Sequence, residues 1–252
     1  MSASVIVHQE GMLLHLRLNR PEKRNALDAR TCAEMTVALE SAAKAYRQDC
    51  SVRAVLISGE GKAFCAGADL GDGAGVYGDG FLERLHEMLQ SIVQLPIPVI
   101  ANIQGPAVGA GTQLALACDL RVVGESGWFM VPAANLGFAL DAWTIHRAQD
   151  LLGGAVARQM LLAAQRVDKQ QAQDLGFANA GTDADAHEFA LAMTKRAPLA
   201  MEQLKTALNA DDSSYGLNPR AQDLFTRCWA SDDADEARRA RAERREPRFR
   251  GR

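Results

Sequence analysis

Three short apolar runs, at residues 52–58, 99–103 and 120–123, constrain this chain more than any other feature. Each is short and almost wholly apolar, so each reads as a strand covered on both faces. Helical spacing of apolar residues appears between them, over 81–95 and 109–118. Strand and helix in alternation give an α/β core with parallel strands. Ahead of this core, residues 5–8 and 12–19 alternate apolar and polar around Gln9-Glu10-Gly11, the pattern of a hairpin. Asp28 stands where an N-cap would start a helix over 29–46. Beyond Asp141 the pattern is almost entirely helical, over 142–151, 155–164, 184–196, 199–208, 221–230 and 235–245. Pro198 and Pro219 mark boundaries there, which divides the chain into an α/β core over 1–197 and a helical C-terminal region over 198–252. Residues 71–80 hold five glycines and two aspartates and form the candidate mobile loop.

Composition narrows the classes of function. At 252 residues and 48% hydrophobic, the chain can bury a core without staples. A net charge of −3 argues against a general nucleic-acid binder. Eight arginines (Arg238, Arg239, Arg241, Arg244, Arg245, Arg248, Arg250 and Arg252) nevertheless crowd the C-terminus against Glu243 and Glu246. A solvated helix face and a phosphate site both fit that cluster. The five cysteines are odd in number and lack CxxC spacing, which reads as reduced, packed thiols. The five histidines show no ligand spacing, so no metal site is expected. No serine sits in a nucleophile elbow. The first eighteen residues lack a basic stretch followed by an apolar core, and no run of eighteen apolar residues occurs, so a cytoplasmic protein is expected.

Two segments carry the candidate chemistry. Gly61-Lys62-Ala63-Phe64-Cys65-Ala66-Gly67-Ala68-Asp69-Leu70 follows the first buried strand. Its small residues let a ligand approach the main chain, and a short helix beginning near Ala68 would aim free N–H groups at it. Gly105-Pro106-Ala107-Val108-Gly109-Ala110-Gly111-Thr112-Gln113-Leu114 follows the second and opens a helix. Two such sites at strand ends of one sheet can converge on a single oxygen, as in an oxyanion hole. Taken singly, each segment fits a tight turn or glycine-mediated packing equally well.

In this order and spacing the two segments resemble the enoyl-CoA hydratase/isomerase family, the crotonase superfamily. Asn19-Arg20-Pro21-Glu22-Lys23-Arg24-Asn25-Ala26-Leu27 resembles its N-terminal signature, and Ala117-Cys118-Asp119-Leu120-Arg121 the stretch after its second oxyanion segment. Gly176-Phe177-Ala178-Asn179 and Ala197-Pro198-Leu199-Ala200 extend the match toward the C-terminus. The resemblance implies a ββα-repeat spiral core with a helical C-terminal subdomain. It implies oxyanion donors at the N–H groups of Ala68 and Ala110. It implies a coenzyme A arm lined by Arg24, Ala26, Leu27, Ala66, Asp69 and Leu70, with Arg244 reaching the phosphates of a neighbouring subunit. It further implies an acyl-CoA partner that is substrate or ligand, no separate cofactor, and a homotrimer or dimer of trimers.

The chain departs from the family where hydratases keep two glutamates. Those positions are Gln113 and Ala133. Glutamine holds water without taking its proton, and alanine does neither. Losing one positioned acid/base removes ~10²–10⁴ in rate, so efficient hydration is not expected. Asp141 resembles a functional aspartate of dienoyl-CoA isomerases and naphthoate synthases, and it equally suits an N-cap. His146, five residues on, is a weak candidate to pair with it. Phe138, Leu140 and Trp143 fit an acyl pocket or the core. Two functions follow. One is an acyl-CoA binder that does not hydrate, and the other an isomerase, hydrolase or carbon–carbon bond enzyme using Asp141.

Overall fold

The computed structural model describes residues 3–71, 80–210 and 219–252. The candidate loop at 71–80 therefore lies outside the described residues, except for Gly71 and Gly80.

The hairpin forms as β1 (Val5–Glu10) and β2 (Leu13–Leu18), paired antiparallel. The apolar runs become β3 (Ala54–Gly59), β4 (Val99–Ile103) and β6 (Leu120–Val123). With β9 (Asn179–Ala180) they make a six-stranded sheet in the order β1-β2-β3-β4-β6-β9. All pairings except β1–β2 are parallel. Every residue of β4 is buried, as a continuous apolar run in a central parallel strand requires. β3 starts two residues later than residue 52, because Met12 accepts the Arg53 and Ala54 N–H groups and sets its register there.

A second sheet went unseen in the sequence. It joins β5 (Pro106–Val108), β7 (Trp128–Met130) and β8 (Val167–Asp168). β8 and β9 also interrupt the stretch that reads as wholly helical. These strands have two or three residues each, too few for periodicity to register.

Helix α1 (Ala29–Asp49) is capped by Asp28, whose carboxylate accepts from the Thr31 N–H at 2.7 Å. It buries Cys32, Met35, Leu39, Ala42 and Tyr46 on one face. α2 (Phe81–Gln94) buries Phe81, Leu85, Met88, Leu89 and Ile92 and stops short of Pro96. α3 (Ala110–Ala117) is buried at every position, so it lies in the core rather than on it. Next come α4 (Ala133–Leu136), α5 (Ala142–Leu152), α6 (Gly154–Leu162), α7 (Lys169–Asp174) and α8 (Asp183–Thr194). α4 and α7 were also missed in the sequence, being four and six residues long.

The C-terminal region contributes α9 (Pro198–Leu208), α10 (Pro219–Trp229) and α11 (Asp232–Glu243). Lys205 ties α9 to the core. Its amine donates to the Ile92 and Ile97 carbonyls, each at 2.9 Å, and pairs with Asp119 at 2.7 Å. Burial lowers that amine's pKa against the attraction of Asp119. α11 starts three residues before the expected 235, because Ser231 caps it through the Ala234 N–H. The extra turn adds Asp232 and Asp233 ahead of Asp235, an acidic start to a helix rich in arginine. Arg245 pairs with Glu236 and Glu243, and its hydrogen bonds hold the Glu236 carboxyl down near 2. The arginine cluster is thus partly neutralised within its own helix.

Candidate active site

The chain segments that carry the candidate donors are stitched together by main-chain hydrogen bonds. Cys65 bridges Ala107 in parallel fashion, donating to the Pro106 carbonyl at 3.0 Å and accepting from the Val108 N–H at 2.9 Å. Three residues on, Leu27 donates to the Gly67 carbonyl at 2.8 Å and accepts from the Asp69 N–H at 2.7 Å. Ala68 is therefore a bridge residue in extended chain, and the helix expected to begin near it does not form. The extended pairing with Leu27 takes the place of a helical turn. In such a pairing the N–H of Ala68 points away from Leu27.

Neither the Ala68 N–H nor the Ala110 N–H has a backbone acceptor among the described residues. Ala110 is the first residue of α3, where the helical ladder leaves N–H groups without partners. Gly67 and Gly109 stand immediately before the two candidate donors. Gly109 has φ +53° and ψ −117°, and Gly67 has φ +106°, backbone that other residues rarely adopt. A Cβ added at Gly67 would lie 2.9 Å from the Val108 carbonyl oxygen and 3.8 Å from the Ala110 nitrogen. Two converging N–H donors of this kind can hold a carbonyl oxygen and stabilise negative charge on it.

Ala68 and Ala110 both line a cavity of about 340 Å³. Its walls are Leu70, Phe81, Leu82 and Leu85 on one side and Val131, Ala133, Leu136, Phe138 and Leu140 on the other. No carboxylate lines it among the described residues. A larger depression of about 700 Å³ lies between β1 and α1 and touches none of these residues.

Among the described residues of the lining, Gln113 is the one polar side chain, and it is 7% exposed. Ala133, the other expected glutamate position, faces the same cavity as a methyl group. Asp141 does not line the cavity and is exposed. It caps α5, accepting from the Thr144 N–H at 2.9 Å and the Thr144 hydroxyl at 2.7 Å. Gln113 Nε2 donates to the Thr144 hydroxyl at 2.8 Å and approaches Asp141 Oδ2 at 3.4 Å. Sequence reasoning gave Thr144 no role, although it stands three residues after the Asp141 cap, where an N-cap side chain finds its backbone N–H partner.

The remaining expected residues divide. Phe138 and Leu140 reach the cavity. Trp143 does not; it lies in α5 and lines a separate depression with Val93, His146, Leu208 and Asn209. Ala66 and Leu70 line the cavity, and Arg24 is exposed in a left-handed turn with φ 52°. Leu27 is fully buried and both its main-chain groups are spent, so it supports the site from behind. Ala26 is buried, and its carbonyl accepts from Arg20 at 2.5 Å. Asp69 pairs with Arg20 at 2.8 Å and with Lys23 at 4.0 Å. Burial raises the Asp69 carboxyl, but hydrogen bonds from Arg20 and the Gly71 N–H, with the charges of Arg20 and Lys23, outweigh it and hold the group below the usual range. Arg20 also pairs with Asp28 at 3.2 Å, so it locks the N-terminal signature to the first donor segment. Arg244 is exposed at the end of α11 and lies outside the cavity lining.

Comparison with known proteins places this architecture. A family model described as enoyl-CoA hydratase/isomerase matches residues 8–252. The chain is 41% identical over 246 residues to a protein named "Probable enoyl-CoA hydratase echA6" from Mycobacterium tuberculosis, covering 97% of this chain and 98% of that one. It is 34% identical over 261 residues to the 2,3-dehydroadipyl-CoA hydratase of Escherichia coli, covering 100% of both. A solved enoyl-CoA hydratase/carnithine racemase from Magnetospirillum magneticum superposes with a TM-score of 0.90 at 26% identity, covering 100% of this chain and 97% of that one. No helix among the described residues is long and apolar enough to cross a membrane. With the paired donor segments, the sheet order and these full-length matches in agreement, the chain belongs to the enoyl-CoA hydratase/isomerase family of the crotonase superfamily.

Proposed function

We propose that this protein binds fatty acyl-CoA thioesters in fatty-acid metabolism, holding the thioester carbonyl on the N–H groups of Ala68 and Ala110, and that it is a poor hydratase. The observation that carries this reading is an apolar cavity lined by Ala68 and Ala110, whose N–H groups have no backbone acceptor among the described residues, with no carboxylate among the described residues of its lining. The donors bind a carbonyl oxygen. The apolar walls take the acyl chain, at roughly 25 cal/mol per Å² of apolar surface removed from water. Hydration needs a group to take a proton from water, and neither Gln113 nor Ala133 can do so. The alternative, an enzyme using Asp141, is less well supported, since that carboxylate is engaged by Thr144 and stands outside the cavity lining.

The test pairs an acyl-CoA titration with a crotonyl-CoA hydration assay. Octanoyl-CoA should bind and raise the melting temperature, since a ligand of the native state stabilises it. Turnover should fall far below an ordinary enzyme rate of roughly 10 s⁻¹. A Gln113→Glu, Ala133→Glu double variant should recover it in part at most. Crotonyl-CoA turnover near the ordinary rate, or no melting shift with thioesters of several chain lengths, would overturn the proposal.

A further inference from the structure

The orientation of the Gln113 amide follows from its neighbours. A carboxylate only accepts hydrogen bonds, so the Thr144 hydroxyl must give its proton to Asp141 Oδ2. The Thr144 oxygen is then an acceptor, and the group facing it at 2.8 Å must be the Gln113 NH₂. The Gln113 carbonyl oxygen is thereby turned the other way. It has no donor among the described residues. Nor is it sealed, because no buried side-chain polar atom is left unpaired among those residues. Since Gln113 lines the cavity, this oxygen is an acceptor presented to whatever the cavity holds. Among the described residues it is the one side-chain polar group in walls that are otherwise apolar.

Gln113 lies one helical turn beyond Ala110, so the two are neighbours on α3, with Cβ atoms about 5–6 Å apart. A thioester held at its carbonyl by Ala110 therefore runs its next carbons past Gln113. We infer that Gln113 is a specificity-determining acceptor, set by Thr144 and Asp141, that selects acyl thioesters carrying a hydroxyl on the second or third carbon. A plain acyl chain would cover the oxygen without satisfying it, which is unfavourable. A keto group would set acceptor against acceptor. Asp141 and Thr144 act through Gln113 and are positioning residues. The inference rests on the proposed thioester binding.

The test is a calorimetric titration of the whole protein with octanoyl-CoA, 2-hydroxyoctanoyl-CoA, 3-hydroxyoctanoyl-CoA and 3-oxooctanoyl-CoA. One of the hydroxy ligands should bind about fivefold to tenfold more tightly than octanoyl-CoA, the worth of one hydrogen bond. The oxo ligand should gain nothing. Gln113→Met should bring the hydroxy-to-plain ratio to about one. Asp141→Asn is the sharper variant. Asn keeps the cap but puts an NH₂ where Oδ2 stood, which reverses the relay and turns the Gln113 NH₂ into the cavity. The oxo ligand should then gain on the hydroxy ligands, a reversal that mere loosening of the fold does not produce. Equal wild-type affinities for hydroxy and plain ligands, or an unchanged ranking in Asp141→Asn, would overturn the inference while leaving thioester binding intact. Failure of every thioester to bind would remove both.

Discussion

Gly67→Ala tests whether the approach of the two donor segments is the structural basis of the site. The native φ of +106° is sparsely populated for any side chain, a strain of about 1–3 kcal/mol. The new methyl would also sit 2.9 Å from the Val108 carbonyl oxygen. That oxygen belongs to main chain laced to Cys65 and cannot move as a side chain would. Overpacking of this kind adds roughly 1–3 kcal/mol. The smaller conformational entropy of the unfolded Ala chain returns about 0.4–1 kcal/mol. A net loss of about 1–6 kcal/mol is expected in urea unfolding. Because the methyl lies 3.8 Å from the Ala110 nitrogen, octanoyl-CoA affinity should fall at least about tenfold, the equivalent of one such contact. Gly137→Ala is the internal control. That glycine lines the same cavity and has φ +75°, yet an added Cβ there meets nothing within 4 Å. It should lose only about 1 kcal/mol and keep its affinity. A Gly67→Ala protein no less stable than Gly137→Ala, with wild-type affinity, would refute the reasoning.

Arg20→Ala should cost about 2–3 kcal/mol in urea unfolding, because it removes the charged donor shared by the Ala26 carbonyl and Asp69 and leaves Asp69 only the longer contact with Lys23. Arg20→Lys should recover little of it, since an ammonium cannot span both acceptors. For His15, burial and then the charge of Arg17 lower the imidazole to about 4, so the folded protein keeps it neutral where an unfolded chain takes a proton near 6.5. Its contribution to stability is therefore complete above about 6.5 and is lost as pH falls through 4. The melting temperature should drop more between pH 7 and 4.5 in wild type than in His15→Gln, which keeps a partner for Ser58; equal slopes would contradict this. Light scattering across concentration should give the mass of a trimer or of a dimer of trimers. The exposed Leu204, Leu208, Phe225 and Trp229 on α9 and α10 suit burial between copies, and a monomer at all concentrations would count against it.

The sheet strands and long helices were legible because their burial follows local periodicity. β4 is apolar throughout and α1 repeats its buried face over 21 residues. The second sheet was not, because β5, β7 and β8 exist only through pairing between distant segments. The candidate donors were legible as glycine-rich turns. How the first of them is held was not: Ala68 is placed by the partnership with Leu27, 41 positions away in the chain, rather than by any helical turn of its own. Trp143 shows the same limit. Its spacing from Phe138 and Leu140 suggests a shared wall, but it lies inside α5 while they precede the Asp141 cap, and the helix carries it to a different depression. Of the two readings of Asp141, the geometry displays the cap, and among the described residues Gln113 links the carboxylate to the cavity.

That indirect link bears on why this scaffold would retain the donors without the acids. Converging N–H groups stabilise the oxygen of a bound thioester in its ground state as well as any oxyanion formed from it. Only the part of an interaction that strengthens in the transition state raises turnover. With a proton acceptor in the cavity, charge builds on the oxygen and the donors act catalytically. Without one, the same donors contribute nearly uniform binding, which lowers the dissociation constant and leaves the barrier high. On the proposed reading, Gln113 and Ala133 therefore convert a catalytic constellation into a recognition site without disturbing its frame. The frame itself is held by the hydrogen bonds of Arg20, the Leu27–Ala68 pairing and the Cys65–Ala107 bridge, all of which are independent of the residues at 113 and 133.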